Sequence, residues 1–478
     1  VKPRPFLIGQ EWRTTAATAP VKNPFNGSRV AEVCLAGKAE AEEAVSAAIS
    51  AFPSMRRLPA HARAGALEKI AGLLAARREE FARTITTEAG KPITDARREV
   101  GRAIQTFSVA SEEAKRIPGE IVPLDLTPGT DAYLGLVRRF PIGPVLGITP
   151  FNFPLNLVAH KVAPCLACGN PIVLKPAPQT PLTALLLGEV VLEVGLPAGA
   201  LSVVPCDNTV AEHLVTHPGL KVLSFTGSAS VGWMLKAKSG KKRVLLELGG
   251  NAGVIVEPDA DLGIAAQRCV TGGFAYAGQT CIAVQRIYVH ESVHDRFVAE
   301  LLARVAQVKA GDPLEEATVV GPLIDEAAAR RVEDWIAEAV AQGAKLLAGG
   351  KRSGPLVEAT VLADVSPTMK VSCREVFGPV VTVNRYQRFE EAIQSLNNSD
   401  YGLQAGLFSR DVDRIFTAYR ELDVGTVLAN ETPTFRADHM PYGGVKDSGL
   451  GREGVRYAIE EMTEPKLLVL NLKDSGSA

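Results

Sequence analysis

The chain carries almost no net charge, since 52 Lys and Arg stand against 53 Asp and Glu for a formal net charge of -1. That balance offers no basic field for a nucleic acid, and none is expected as a partner. Long apolar runs are also lacking, although hydrophobic residues make up 46% of the 478 positions. No stretch stays apolar long enough to span a bilayer, and Val1-Lys2-Pro3-Arg4 opens no signal-peptide core. A cytoplasmic protein without a membrane partner is the expectation. Nor is there a disulfide framework: Cys34, Cys165, Cys168, Cys206, Cys269, Cys281 and Cys373 are an odd number scattered through a long chain. Cys165 and Cys168 form a CxxC in VAPCLACG, but no second pair lies at metal-ligand spacing. They read as small thiols on the buried face of a helix, and no metal site is expected.

What is present is enough chain for two to three domains, at roughly 150 residues each. Residues 39–117 are rich in Ala, Glu, Arg and Leu at helical spacing and end near Pro118-Gly119-Glu120. From Pro141 to Gly250 short β-rich runs alternate with helical stretches. Strands are expected at 145–149, 171–174, 201–204, 222–225 and 244–247, with helices at 154–168, 182–194, 210–217 and 229–238. This is a Rossmann-like layout of βαβ units around a parallel sheet. Beyond Asn251 the alternation returns less cleanly, with helices near 293–308 and 326–342 and strands near 287–290 and 380–384, so a second α/β domain is expected. Glu120 to Phe140 and Lys466 to Leu472 read as strands outside both cores, of the kind that pair with another subunit.

Three motifs carry chemistry. Phe225-Thr226-Gly227-Ser228 follows a strand and opens a helix, where backbone amides can receive a phosphate, although it lacks a full GxGxxG and a bare turn reads equally well. Leu246-Glu247-Leu248-Gly249-Gly250-Asn251 sets a carboxylate at the end of an apolar strand, beside two glycines that permit close approach. The plainer reading pairs Glu247 with a helix N-terminus or an arginine. Gly272-Gly273-Phe274-Ala275-Tyr276-Ala277-Gly278-Gln279-Thr280-Cys281 surrounds a cysteine with small residues, so that Cys281 is a candidate nucleophile if its thiolate is accessible, or otherwise a core residue.

Thr149-Pro150-Phe151-Asn152-Phe153-Pro154, Leu174-Lys175-Pro176, FTGS at 225–228, ELGGN at 247–251, GQTC at 278–281 and EVFGP at 375–379 occur in one order. Together they resemble the aldehyde dehydrogenase superfamily, and the similarity runs from Phe6 to beyond Pro441-Tyr442-Gly443-Gly444. The resemblance implies an α/β fold with two Rossmann-like α/β domains and a small β oligomerisation extension. It implies an NAD(P)-binding domain from residues 1–119 and 141–249, a catalytic domain over 250–445, and oligomerisation strands with a C-terminal segment at 120–140 and 446–478. A homodimer or homotetramer is implied in turn. Cys281 becomes the nucleophile, Asn152 an oxyanion donor and Glu247 the base for hydrolysis. The cofactor cleft is implied at Thr149, Pro150, Phe151, Lys175, Ala177, Pro178, Phe225, Gly227, Ser228, Val231, Leu248, Glu375 and Phe377. In the family Lys175 reaches the adenosine ribose, Ser228 the pyrophosphate and Glu375 the nicotinamide ribose, with Phe377 near the ring.

Two positions depart from the common pattern. Pro178 replaces a glutamate that many NAD-preferring members have, so NAD or NADP is expected, with NADP at least comparable. Cys206 replaces a glycine near the expected adenine site. For the aldehyde, Arg102, His160, Thr280 and Arg436 are the candidate contacts, although each also reads as a solvated charge or a helix cap. The segments at 154–161 and 433–446 look similar to members acting on small hydroxylated or anionic aldehydes such as lactaldehyde or phosphonoacetaldehyde. Thr280 lacks the arginine of the non-phosphorylating glyceraldehyde-3-phosphate enzymes, which argues against that substrate. The competing readings are a coenzyme A-acylating semialdehyde dehydrogenase, which typically lacks the ELGG acid, and a catalytically silent scaffold of the same fold.

Overall fold

Five parallel strands, in the spatial order Leu201–Val203, Ile172–Lys175, Val145–Ile148, Val222–Thr226 and Arg243–Glu247, form the centre of the first sheet of this computed structural model, which describes residues 2–472. Residues 473–478 of the expected C-terminal segment lie outside the described residues. The three inner strands, Ile172–Lys175, Val145–Ile148 and Val222–Thr226, are buried at every position, which is why their sequences read as mostly apolar runs, broken only by Lys175, Ser224 and Thr226, rather than alternating ones. Val145–Ile148 has its chain successor Ile172–Lys175 on one side and Val222–Thr226 on the other. Ligands of open α/β sheets bind at such a reversal of strand order, outside the carboxyl ends of the strands.

Helices Lys38–Met55, Ala60–Ala76, Arg78–Ala89 and Ile93–Ala114 fill the helical region and share the core of this sheet. Two short strands escaped the sequence reading: Phe6–Ile8 and Glu11–Arg13 form a hairpin on the sheet edge, with Leu7 paired to Val203. Three-residue strands are too short to show periodicity. At the other edge Gly449–Leu450 pairs antiparallel with Arg243–Glu247 and brings the C-terminal segment back to the first sheet.

The second sheet runs Lys345–Ala348, Thr360–Ala363, Val380–Tyr386, Arg286–His290, Gly253–Val256, Gln404–Phe408 and Thr426–Ala429, all parallel except the first. Strands expected at 120–140 and 466–472 pair with each other, since Tyr133–Pro141 lies between Gly119–Pro123 and Thr463–Asn471. That sheet leaves Ile121, Leu467, Leu468 and Val469 exposed.

One helix starts later than its sequence suggests, at Asn156 rather than Pro154. The amides of Leu155 and Asn156 donate to Glu99 Oε1 at 2.9 and 3.1 Å, so a carboxylate from a distant helix sets the start. Cys165 and Cys168 are buried within that same helix, as expected of structural thiols. Among the described residues no helix is long and apolar enough to cross a membrane, and no group of His, Cys, Asp and Glu side chains could hold a metal ion.

Candidate active site

The carboxyl ends of Val145–Ile148 and Val222–Thr226 open onto a cavity of about 450 Å³. Its walls include Thr149, Pro150, Phe151, Lys175, Ala177, Pro178, Phe225, Gly227, Ser228 and Val231. All ten were expected to hold the cofactor. At one end lies the helix Ala229–Lys238, whose N-cap Ser228 is extended and makes no side-chain cap bond. Its first amides therefore remain available to an anion. Lys175 sits on the same wall, and burial pushes its ammonium down from the usual lysine range. A buried cation and an uncapped helix end suit the phosphates of a dinucleotide. Cys206 is buried beside Lys175, and burial pushes its thiol up to about 11; it is not part of the cavity wall.

A second cavity of about 380 Å³ adjoins the first through Pro150, Phe151, Thr226, Gly227 and Ser228. Asn152, Glu247, Leu248, Cys281, Glu375 and Phe377 line it. The geometry explains the glycine pair after Glu247. A Cβ on Gly250 would stand 2.6 Å from the Cys281 carbonyl oxygen, and one on Gly249 would strike the Glu375 carboxylate. Only glycines let the three segments meet. The Gly250 amide donates to Glu375 Oε1 at 3.0 Å, while burial pushes that carboxyl up to about 7. Asn152 is fixed beside the nucleophile loop because one of its amide hydrogens goes to the Gln279 carbonyl at 2.9 Å. Its second N–H remains for a ligand.

Cys281 is half-buried among Ile282, Leu403, Met440 and Tyr442, and burial pushes its thiol up to about 12. Glu247 is more buried still. Burial, with the charge of Glu453 nearby, holds its carboxyl well above the usual range, and Oε2 has no hydrogen-bond partner among the described residues. Glu453 is the opposite case: burial works against its ionisation, but Lys161 at 3.3 Å and Arg436 at 2.9 Å outweigh it. Glu453 therefore ionises more readily than Glu247, which keeps its proton to higher pH than an ordinary glutamate.

The four candidate substrate contacts lie outside both cavity walls. Arg436 stacks its guanidinium 3.6 Å from the Tyr442 ring, and its Nε is buried without a partner among the described residues. Thr280 Oγ1, next to the nucleophile, is likewise buried and unpartnered among the described residues. Arg102 donates to Asp438 at 2.8 Å and stays partly exposed. His160 is fully buried against the same Asp438 at 2.8 Å, and burial with the Arg436 charge pushes its imidazole down from the usual histidine range. Asp438 thus gathers Arg102, Asn156 and His160 into one network. A surface hollow of about 720 Å³ lined by Arg268, Arg304, Thr434 and Phe435 contains none of the candidate catalytic side chains.

Tyr442, Glu453 and Lys161 went unassigned in the sequence. The signal for two of them was present, since Tyr442 sits in Pro441-Tyr442-Gly443-Gly444 and Glu453 in Gly451-Arg452-Glu453-Gly454, where glycines flank a large polar side chain.

The aldehyde dehydrogenase family matches residues 12–468. A 3-sulfolactaldehyde dehydrogenase of Priestia aryabhattai is 45% identical over 473 residues, 99% of both chains. Aldehyde dehydrogenase 21 from Physcomitrella patens, solved with its reaction product succinate, is similar at TM-score 0.97 and 45% identity, over 99% of this chain and 100% of that one. The NADP-dependent glyceraldehyde-3-phosphate dehydrogenase from Bacillus halodurans C-125, solved with NADP, is similar at TM-score 0.96 and 37% identity, over 99% and 100%.

Proposed function

The chain belongs to the aldehyde dehydrogenase family, whose members oxidise aldehydes to carboxylic acids with NAD or NADP, and we propose that it does so through a covalent thioester on Cys281. The observation that carries this reading is the convergence of Cys281, Asn152 and Glu247 on one cavity continuous with the anion-receiving helix end. Thiolate attack on the aldehyde carbon turns the carbonyl into an oxyanion. The free N–H of Asn152 and the Cys281 amide stabilise that charge as it develops. A nicotinamide cofactor, held by Lys175, Ser228 and Glu375, would supply the hydride acceptor that lets the adduct on Cys281 become a thioester. Glu247, once ionised, takes a proton from the water that hydrolyses the thioester. A coenzyme A-acylating enzyme would not need that acid, so Glu247 favours hydrolysis. Rapid mixing tests the covalent reading, with an acyl adduct expected on the Cys281 peptide.

The proposed substrate is a small aldehyde bearing an anionic or hydroxyl group. Two buried donors, Arg436 Nε and Thr280 Oγ1, lack a hydrogen-bond partner among the described residues and support it. Arg102 adds a partly exposed cation. The relatives' sulfonated substrate and carboxylated product are of this class. A three-carbon sulfonated or carboxylated aldehyde should therefore give a KM at least about tenfold below that of propanal, as expected of one charge-assisted hydrogen bond. Arg102→Met should raise KM for the anionic aldehyde by a similar factor and leave propanal nearly unchanged. Equal effects on both substrates would remove Arg102 from recognition.

For the cofactor, NADP use at least comparable with NAD is expected. Pro178 is exposed on the cavity wall and has no carboxylate to repel a 2′-phosphate. Glu212, the one acid on that wall, is paired with Lys238 at 2.7 Å. Lys175 supplies a cation. The measurement is kcat/KM for both cofactors with one good aldehyde. Pro178→Glu should shift the ratio toward NAD, and a wild-type preference for NAD beyond about a hundredfold, some 2.7 kcal/mol, is incompatible with the reading.

Residues 1–119 with 141–249 are assigned to cofactor binding and 250–445 to catalysis, with the strands of 120–140 and the C-terminal strand as an oligomerisation arm. The apolar side chains exposed on that arm support a homodimer or homotetramer.

A further inference from the structure

The sulfur of Cys281 has a single side-chain hydrogen-bond partner among the described residues, the Tyr442 hydroxyl at 3.1 Å. Its other close neighbours, Ile282, Leu403 and Met440, are apolar. A thiolate formed there gives up water and faces the carboxyl groups of Glu247 and Glu375. Burial and these acids both oppose ionisation, and the hydroxyl of Tyr442 and the guanidinium of Arg436 favour it. Tyr442 is firmly held for this task. Its backbone exchanges hydrogen bonds with Glu453, at 3.0 and 2.6 Å, and Glu453 in turn grips the guanidinium that lies 3.6 Å from the Tyr442 ring. Phenol, cation and counter-ion form one unit beside the sulfur.

While the sulfur is protonated, either atom of the Cys281–Tyr442 pair can donate. After ionisation only the phenol can. The bond then becomes charge-assisted, and this difference between the two states is what favours the thiolate. A cation on the ring face draws electron density from the ring and makes its hydroxyl a stronger donor. Burial and the adjacent sulfur keep the phenol itself protonated.

We propose that Tyr442 is a catalytic residue: its hydroxyl donates to Cys281 Sγ and stabilises the attacking thiolate, with Arg436 strengthening that donor through the ring. The proton lost by the thiol leaves to solvent, and the tyrosine keeps its own. The inference rests on Cys281 being the nucleophile. Once the sulfur is acylated it carries no charge, so Tyr442 acts where the thiolate attacks and again where it is expelled as water hydrolyses the thioester.

The test is Tyr442→Phe, which keeps the ring under Arg436 and removes only the donor. Alkylation of Cys281 by iodoacetamide, followed by peptide mapping, is measured between about pH 6 and about 10 on the full enzyme. The variant should react at least about tenfold more slowly near neutral pH and show a slower burst of reduced cofactor. Superimposable alkylation profiles would overturn the proposal. Cofactor binding serves as the folding control. Should the Phe variant fail it, replacement of Tyr442 by 3-fluorotyrosine keeps the hydroxyl and makes it a better donor, so alkylation near neutral pH must accelerate; no acceleration also overturns the proposal. An active Cys281→Ser enzyme would instead mark failure of the covalent reading on which this rests.

Discussion

Cys281→Ser is expected to lower aldehyde oxidation by at least about a thousandfold, some 4 kcal/mol in the barrier, while cofactor affinity stays within about twofold. The reason is specific to this pocket. Burial already pushes the thiol up to about 12, so even the more acidic of the two side chains ionises with difficulty. A serine hydroxyl is a far weaker acid, and the apolar contacts of Ile282, Leu403 and Met440 make its alkoxide costlier still. The cofactor cavity shares the wall segment Pro150–Phe151 and Thr226–Ser228 with the nucleophile cavity, but its Lys175 end does not touch residue 281. Binding of NADP, followed by fluorescence titration, should therefore survive. Retention of more than about a tenth of wild-type turnover would remove Cys281 from the covalent role.

Much of this architecture was readable from the chain because sheet and cleft impose local patterns. Strands buried on both faces are mostly apolar, as in Val145–Ile148, and glycine or polar residues near their carboxyl ends leave room and donors for a ligand. Gly227-Ser228 stands out in sequence for that reason and Thr149 to Asn152 through the family resemblance, and the two segments sit together in the structure. What was illegible depends on contacts between distant segments. Nothing near Leu155 announces that Glu99 will cap its helix, and nothing near Cys281 announces that its sulfur will meet a tyrosine 161 residues away. Arg436 and His160 could be picked as basic, but whether either is free to meet a substrate depends on Glu453 and Asp438, whose own charge states are set by burial and by their partners. Sequence shows which chemical groups exist. The fold decides which of them are already spent on each other.

Glu247→Gln is expected to leave a burst of reduced cofactor followed by turnover at least about a hundredfold slower, with acyl-enzyme accumulating on Cys281. An amide fills the same space as the carboxylic acid but cannot take a proton from water. The native pH dependence should carry the same signature. Burial and the neighbouring Glu453 charge hold the Glu247 carboxyl well above its usual range, so its protonated form, idle as a base, persists to higher pH than an ordinary glutamate's. Hydrolysis should therefore quicken as pH rises through that elevated value and fall away below it. Glu453→Gln removes the negative neighbour and leaves Lys161 and Arg436 less neutralised. Both changes favour the ionised form of Glu247, so the midpoint of the hydrolysis profile must move to lower pH. The variant also loses stability, because truncating one partner of a buried ion pair costs about 3 to 5 kcal/mol, and the profile is best taken well below its Tm. A single-turnover measurement of thioester hydrolysis against pH, made on wild type and Glu453→Gln, separates this account from one in which Glu247 only shapes the pocket. In that case the two profiles coincide, and Glu247→Gln slows the burst as much as the turnover.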